Sequence, residues 1–126
     1  MNLRELVQPK NTAVIVIDMQ NDYVHRDGAS LRYFRDKNDG REINPKAILS
    51  AAEKIVPSLI EFADVARAVK TNIVWVRTVN NRYTVSRMAA RQGKKFAWSG
   101  DEWGTAFYEG LQPLGDEPIV TKQRHS

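Results

Sequence analysis

Two residues in this chain have the types and positions to do chemistry together. Asp18 closes an unbroken apolar run, Ala13 to Ile17, and Lys122 closes the short run Pro118-Ile-Val-Thr121. A carboxylate can accept a proton, and an ammonium can stabilise a developing anion. In open α/β sheets, ligands bind outside the carboxyl ends of the strands, where both residues would sit. If their strands are parallel neighbours, the two side chains enter one cleft, and each lowers the cost of charging the other. Two plainer readings stay open. Asp18 caps the next turn, as aspartates often do, and the pair is a structural ion pair at the strand ends.

The elements that must place these residues are legible as hydrophobic patterns. Val14, Ile15, Val16 and Ile17 are all β-branched, with no polar residue alternating, so the first strand is expected to be buried on both faces. A polar, turn-rich loop then runs through His25-Arg-Asp-Gly28 and Asp36-Lys-Asn-Asp-Gly40, where Leu31, Tyr33 and Phe34 either pin it to the core, the favoured reading, or line a pocket. Asn44-Pro45 reads as the N-cap and first residue of a helix. Its buried stripe would comprise Ile48, Ala52, Ile55, Leu59, Phe62 or Ala63, Ala66 and Val69. Pro57 lies inside that pattern and predicts a kink or two abutting helices.

Ile73-Val-Trp-Val76 is a second apolar strand, so strand, helix and strand form a right-handed βαβ unit with parallel neighbours. Its end, Arg77, Thr78, Asn80 and Asn81, belongs beside Asp18. Residues 82–115 read as irregular, with a short helix over Thr105 to Leu111 and Trp98, Trp103, Phe107 and Tyr108 interleaved with glycines. Such a stretch is either a lid or pocket wall or a packed excursion.

Composition sets outer limits. The 126 residues suit a single domain, with 42% hydrophobic and 27% charged residues. No apolar run approaches the ~20 residues of a membrane span, and Met1-Asn-Leu-Arg-Glu-Leu6 has no signal-peptide character. Cysteine is absent, so disulfides are excluded and the redox compartment is not readable from cysteine usage; the cytoplasm is the default location. The net charge of +4 includes Arg82, Arg87, Arg91, Lys94 and Lys95 with no acid among them. Without a nucleic-acid-binding module beside it, this stretch reads as a solvated face rather than a nucleic-acid patch.

Two separated motifs carry a family resemblance. Thr12-Ala-Val-Ile-Val-Ile-Asp-Met-Gln-Asn-Asp-Tyr23 resembles the opening of the isochorismatase-like cysteine hydrolases. Glu109-Gly-Leu-Gln-Pro113 followed by Glu117-Pro-Ile-Val-Thr-Lys-Gln-Arg-His-Ser126 resembles that family's catalytic-lysine strand. The resemblance implies an α/β fold: a three-layer, Rossmann-like parallel sheet with helices on both faces, here an incomplete N-terminal portion in one domain, 1–126. It further implies an Asp-Lys-Cys triad in which Asp18 takes the thiol proton and Lys122 stabilises the thiolate. The family's cysteine lies later than this chain reaches.

The pattern looks most like the carbamoyl-sarcosine, ureidoacrylate and biuret amidohydrolase branch. A small amide or ureido substrate is expected, contacted by Tyr23, Asn80, Asn81, Arg82 and Tyr83. The Asp-x-His of metal-dependent relatives has no counterpart in Arg77-Thr-Val-Asn-Asn-Arg-Tyr83, so neither a metal nor a cofactor is expected. Alternatives are a scaffold protein of the same fold and a cysteine-independent vinyl-ether hydrolase. Three parallel strands with one main helix would leave a sheet face open. A homo-oligomer, or a second chain carrying the missing C-terminal part, is therefore expected.

Overall fold

The computed structural model describes residues 2–36, 45–80 and 102–123. Among them the chain runs α1 (Leu3–Leu6), a 3-10 turn (Pro9–Asn11), β1 (Ala13–Ile17), α2 (Asn21–Val24), α3 (Ala29–Asp36), α4 (Pro45–Ala68), β2 (Asn72–Thr78), α5 (Glu102–Thr105) and β3 (Ile119–Lys122). The three strands form one parallel sheet in the order β1-β2-β3. Ile17 pairs with Val76, and Thr78 pairs with Lys122. The carboxyl ends of all three strands thus meet at one edge, as the βαβ pattern predicts.

The core lies between the sheet and α4. Val16, Ile73 and Trp75 on the strands meet Val56, Ala63 and Ala66 on the helix, with Leu111 closing the cluster. The buried stripe of α4 matches the expected one at Leu59, Ala63 and Ala66 and departs from it at Ile55 and Val69, with Val56 taking the inner place. Val56, Ala63 and Ala66 are inside, whereas Ile55, Phe62 and Val69 are about half exposed. An apolar residue occurs on nearly every side of this helix, so periodicity alone admits neighbouring rotations, and the small Ala63 and Ala66 let it approach the sheet closely. Nor does Pro57 divide the segment: α4 runs from Pro45 to Ala68 as one helix.

Burial on β1 alternates although its sequence does not. Val16 is buried, but Ile15 and Ile17 are 59% and 52% exposed. The expectation of a strand buried on both faces is corrected here. Among the described residues α4 covers one face, while Ile15, Ile17 and Val120 remain open on the other.

Two further expectations change. The loop after Asp18 contains α2 and α3. The Asp22 side chain, itself buried, accepts a hydrogen bond from the Ala29 amide at the start of α3 (3.2 Å). Gly28 sits so close to the carbonyls of Asn21 and Asp22 that a Cβ there would collide with backbone. The expected helix over Thr105 to Leu111 lies earlier, at Glu102–Thr105. Residues 106–108 instead pair antiparallel with 19–21, through Asn21 N–H to Ala106 O (3.0 Å) and Tyr108 N–H to Met19 O (2.9 Å).

Candidate active site

Asp18 is the first residue past β1, and its backbone turns sharply. Its φ of 58° lies in the left-handed region, which costs a non-glycine residue about 1 kcal/mol. Its amide still donates to Val76 O (2.9 Å), so the chain leaves the sheet at this residue. The carboxylate is held at both oxygens. Oδ2 forms an ion pair with Lys122 Nζ at 2.8 Å, and Oδ1 accepts from Thr78 Oγ1 at 2.9 Å. Both side chains of the ion pair are about three-quarters buried. At that depth water screens the pair only partly, and the geometry is fixed from both partners. β1 therefore supplies the carboxylate, β2 the hydroxyl and β3 the ammonium.

The lysine owes its position to a second cluster. Glu117, in the turn before β3, accepts from Arg67 Nε (2.7 Å) and Nη2 (3.0 Å), Trp75 Nε1 (2.7 Å) and the Leu114 amide (2.9 Å). Hydrogen bonds from Arg67 above all, then from Leu114 and Trp75, hold its carboxyl at a pKa of about 2 against the opposing effect of burial. Arg67 is on α4 and Trp75 on β2, so one carboxylate ties helix, sheet and the entry to β3. Trp75 is fully buried and must satisfy its indole N–H, which Glu117 does. Sequence reading passed over Glu117, whose only local signal was an acid next to Pro118.

Gln20 was also passed over. Its side chain is 1% exposed and fully engaged. Oε1 accepts from Thr78 N–H (2.7 Å), and Nε2 donates to Thr78 O (2.9 Å) and Thr105 O (2.8 Å). A glutamine three residues beyond a strand looks like an ordinary surface polar residue until the fold is known.

Tyr23 lies against the same group. Burial raises its phenol pKa most, the charges of Asp18 and Asp22 add to that, and an interaction with Thr78 opposes it. Asn80 follows β2 and is half-buried. Asn81, Arg82 and Tyr83 lie outside the described residues, as do Trp98 and the basic residues from Arg82 to Lys95.

A cavity of about 560 Å³ opens nearby, lined by His25, Arg77, Trp103, Tyr108 and Glu109 among others. The His25 and Trp103 rings meet edge to face at 5.1 Å. The aromatic stretch is both pocket wall and packed excursion, since Phe107 lines the cavity and packs on Trp75 at 5.4 Å. Neither Asp18 nor Lys122 belongs to this lining.

The parallel sheet with its helices can be set beside known families. The isochorismatase domain family profile matches residues 12–126. The chain belongs to the isochorismatase family. An isochorismatase-like hydrolase from Alkaliphilus metalliredigens is 25% identical with a TM-score of 0.52, over 90% of this chain and 49% of that one. A cysteine hydrolase from Pseudomonas syringae pv. phaseolicola 1448A shares the fold with a TM-score of 0.69 at 22% identity, over 95% of this chain and 50% of that one. This isochorismatase-family chain thus spans about half the length of the solved structures it matches. A comparison with curated proteins finds no match.

Proposed function

We propose that this chain supplies the proton-handling part of a cysteine-hydrolase-type amidohydrolase that cleaves a C–N bond of a small amide or ureido compound. The observation that carries the reading is the 2.8 Å ion pair between Asp18 and Lys122 at the carboxyl edge of the sheet. The nucleophile, a cysteine, would come from outside these 126 residues. An isolated thiol has a pKa of about 8.5 and is largely protonated at neutral pH. Asp18 would accept the thiol proton, and Lys122 would favour the thiolate and the charge that develops as it attacks the carbonyl. The amine or ammonia leaves with a proton, and water releases the acid from the thioester. Backbone amides would hold the oxyanion. Tyr23, Asn80, Asn81, Arg82 and Tyr83 are proposed substrate contacts.

The test uses the full-length protein and measures ammonia release from biuret, N-carbamoylsarcosine and ureidoacrylate. Asp18→Asn is expected to reduce turnover at least about a thousandfold, with the fold retained. Wild-type turnover in that variant would end the assignment. The lack of any cysteine in these residues favours two other readings. A scaffold role predicts no ammonia from any substrate. A vinyl-ether hydrolase predicts pyruvate release from isochorismate that thiol reagents do not inhibit.

Homo-oligomerisation is proposed on a separate feature, the row of half-exposed Ile55, Phe62, Val65 and Val69 along α4. Sedimentation velocity of the full-length protein checks it, and a monomer at micromolar concentration would reject it.

A further inference from the structure

We propose that Thr78, clamped by Gln20, is a positioning residue that fixes the plane of the Asp18 carboxylate; this rests on the hydrolase reading above. β1 ends at Ile17 and the chain turns away at Asp18, while β2 continues to Thr78. The amide and carbonyl of Thr78 therefore face a place where no further residue of β1 stands. The Gln20 side chain fills it. Its carboxamide accepts from Thr78 N–H and donates to Thr78 O, replacing the two backbone hydrogen bonds that a continuing β1 would have made. The donor and acceptor demands of Thr78 also fix which way the amide faces. Its second hydrogen goes to Thr105 O, so the clamp is closed on three sides.

A residue held at both backbone groups has a fixed Cα and Cβ, and Thr78 is 4% exposed. Its β-branched side chain has few accessible rotamers, so the hydroxyl has a set position from which it donates to Asp18 Oδ1 at 2.9 Å. This matters because the terminal torsion of an aspartate is broad and roughly two-fold. Lys122 alone, a flexible ammonium with rotatable donors, could follow either oxygen as the carboxylate turned. With Thr78 on Oδ1 and Lys122 on Oδ2, the plane is determined by two elements at once, β2 and β3. The free lone pairs then point in one direction, which a base needs in order to meet a proton on an incoming group.

The experiment compares Thr78→Val, Thr78→Ser and Asp18→Asn in the full-length protein, using ammonia release from biuret, N-carbamoylsarcosine and ureidoacrylate. Thr78→Val is expected to lower kcat about tenfold or more with KM little changed, and Thr78→Ser to restore most of it. Full activity in Thr78→Val beside an inactive Asp18→Asn overturns the positioning role and leaves the hydrolase reading standing. Equal losses in the Val and Ser variants also overturn it, since the methyl group rather than the hydroxyl would then matter. Wild-type rates in Asp18→Asn remove the hydrolase reading itself. Crystal structures of the variants give a readout independent of turnover. The carboxylate is expected to rotate in Thr78→Val and to keep its place in Thr78→Ser. An unmoved carboxylate in Thr78→Val overturns the proposal, and Thr78→Ala takes its place in both measurements if Val does not fold.

Discussion

Glu117 receives four donors on one carboxylate, and its titration should be visible in the stability of the whole chain. Its folded pKa is about 2, against an ordinary value of 4.5. A depressed carboxyl stabilises the fold at pH values above the unfolded pKa, and that contribution is lost as pH falls through the folded one. The loss is therefore expected between about pH 4.5 and 2, up to roughly 3 kcal/mol. Urea unfolding across that range should show the decline in the wild type and a flatter profile in Glu117→Gln. Tyr23 has the opposite sign. Its raised pKa favours the neutral phenol in the folded state, so its contribution is complete below about pH 10 and declines above it. Tyr23→Phe is expected to reduce the alkaline loss of stability, measured as Tm between pH 9 and 11.

At the scale of elements, Gln20 joins the end of β2 to the end of α5. Gln20→Ala would leave the Thr78 amide, the Thr78 carbonyl and the Thr105 carbonyl without that partner. The expected cost is roughly 2–4 kcal/mol, since buried groups left unsatisfied carry their full desolvation penalty. Gln20→Glu should be at least as harmful, because it sets a carboxylate oxygen against two carbonyl oxygens. A change below about 0.5 kcal/mol in either variant, by urea unfolding, would contradict the clamp. In α4, Pro57 is exposed and lies within the helix. Pro57→Ala restores an amide donor and relieves the clash with the preceding turn, so it is expected to raise stability by about 1–3 kcal/mol.

At the scale of the molecule, the sheet has one face covered by α4 and one that presents Ile15, Ile17 and Val120. Parallel sheets are usually covered on both faces. The 126-residue chain on its own is expected to bind a hydrophobic dye and to associate as concentration rises, because an apolar face of this kind is poorly compatible with a lone monomer. Sedimentation velocity and dye fluorescence check this, and a dye-silent monomer would contradict it. The matched structures are about twice as long as this chain.

Local chemistry indicated the parallel direction of the strands and the two charges at their ends, whereas the order β1-β2-β3, which sets β2 between the strands of Asp18 and Lys122, came from the tertiary structure. The apolar runs Ala13 to Ile17 and Ile73 to Val76, joined through one long helical pattern, admit little besides a parallel βαβ arrangement. Tertiary structure decided which face of α4 turned inward, because its sequence is apolar on more than one side. It also decided that, among the described residues, β1 is covered by α4 on one face while Ile15 and Ile17 stay about half exposed on the other, which an all-apolar strand cannot signal. The Gln20 clamp spans 58 residues to Thr78, and the Glu117 cluster spans 50 to Arg67. Both consist of polar side chains whose meaning depends on partners that only folding brings near. For that reason the two charges of the ion pair at the sheet edge were legible in the sequence, and the residues around them were not.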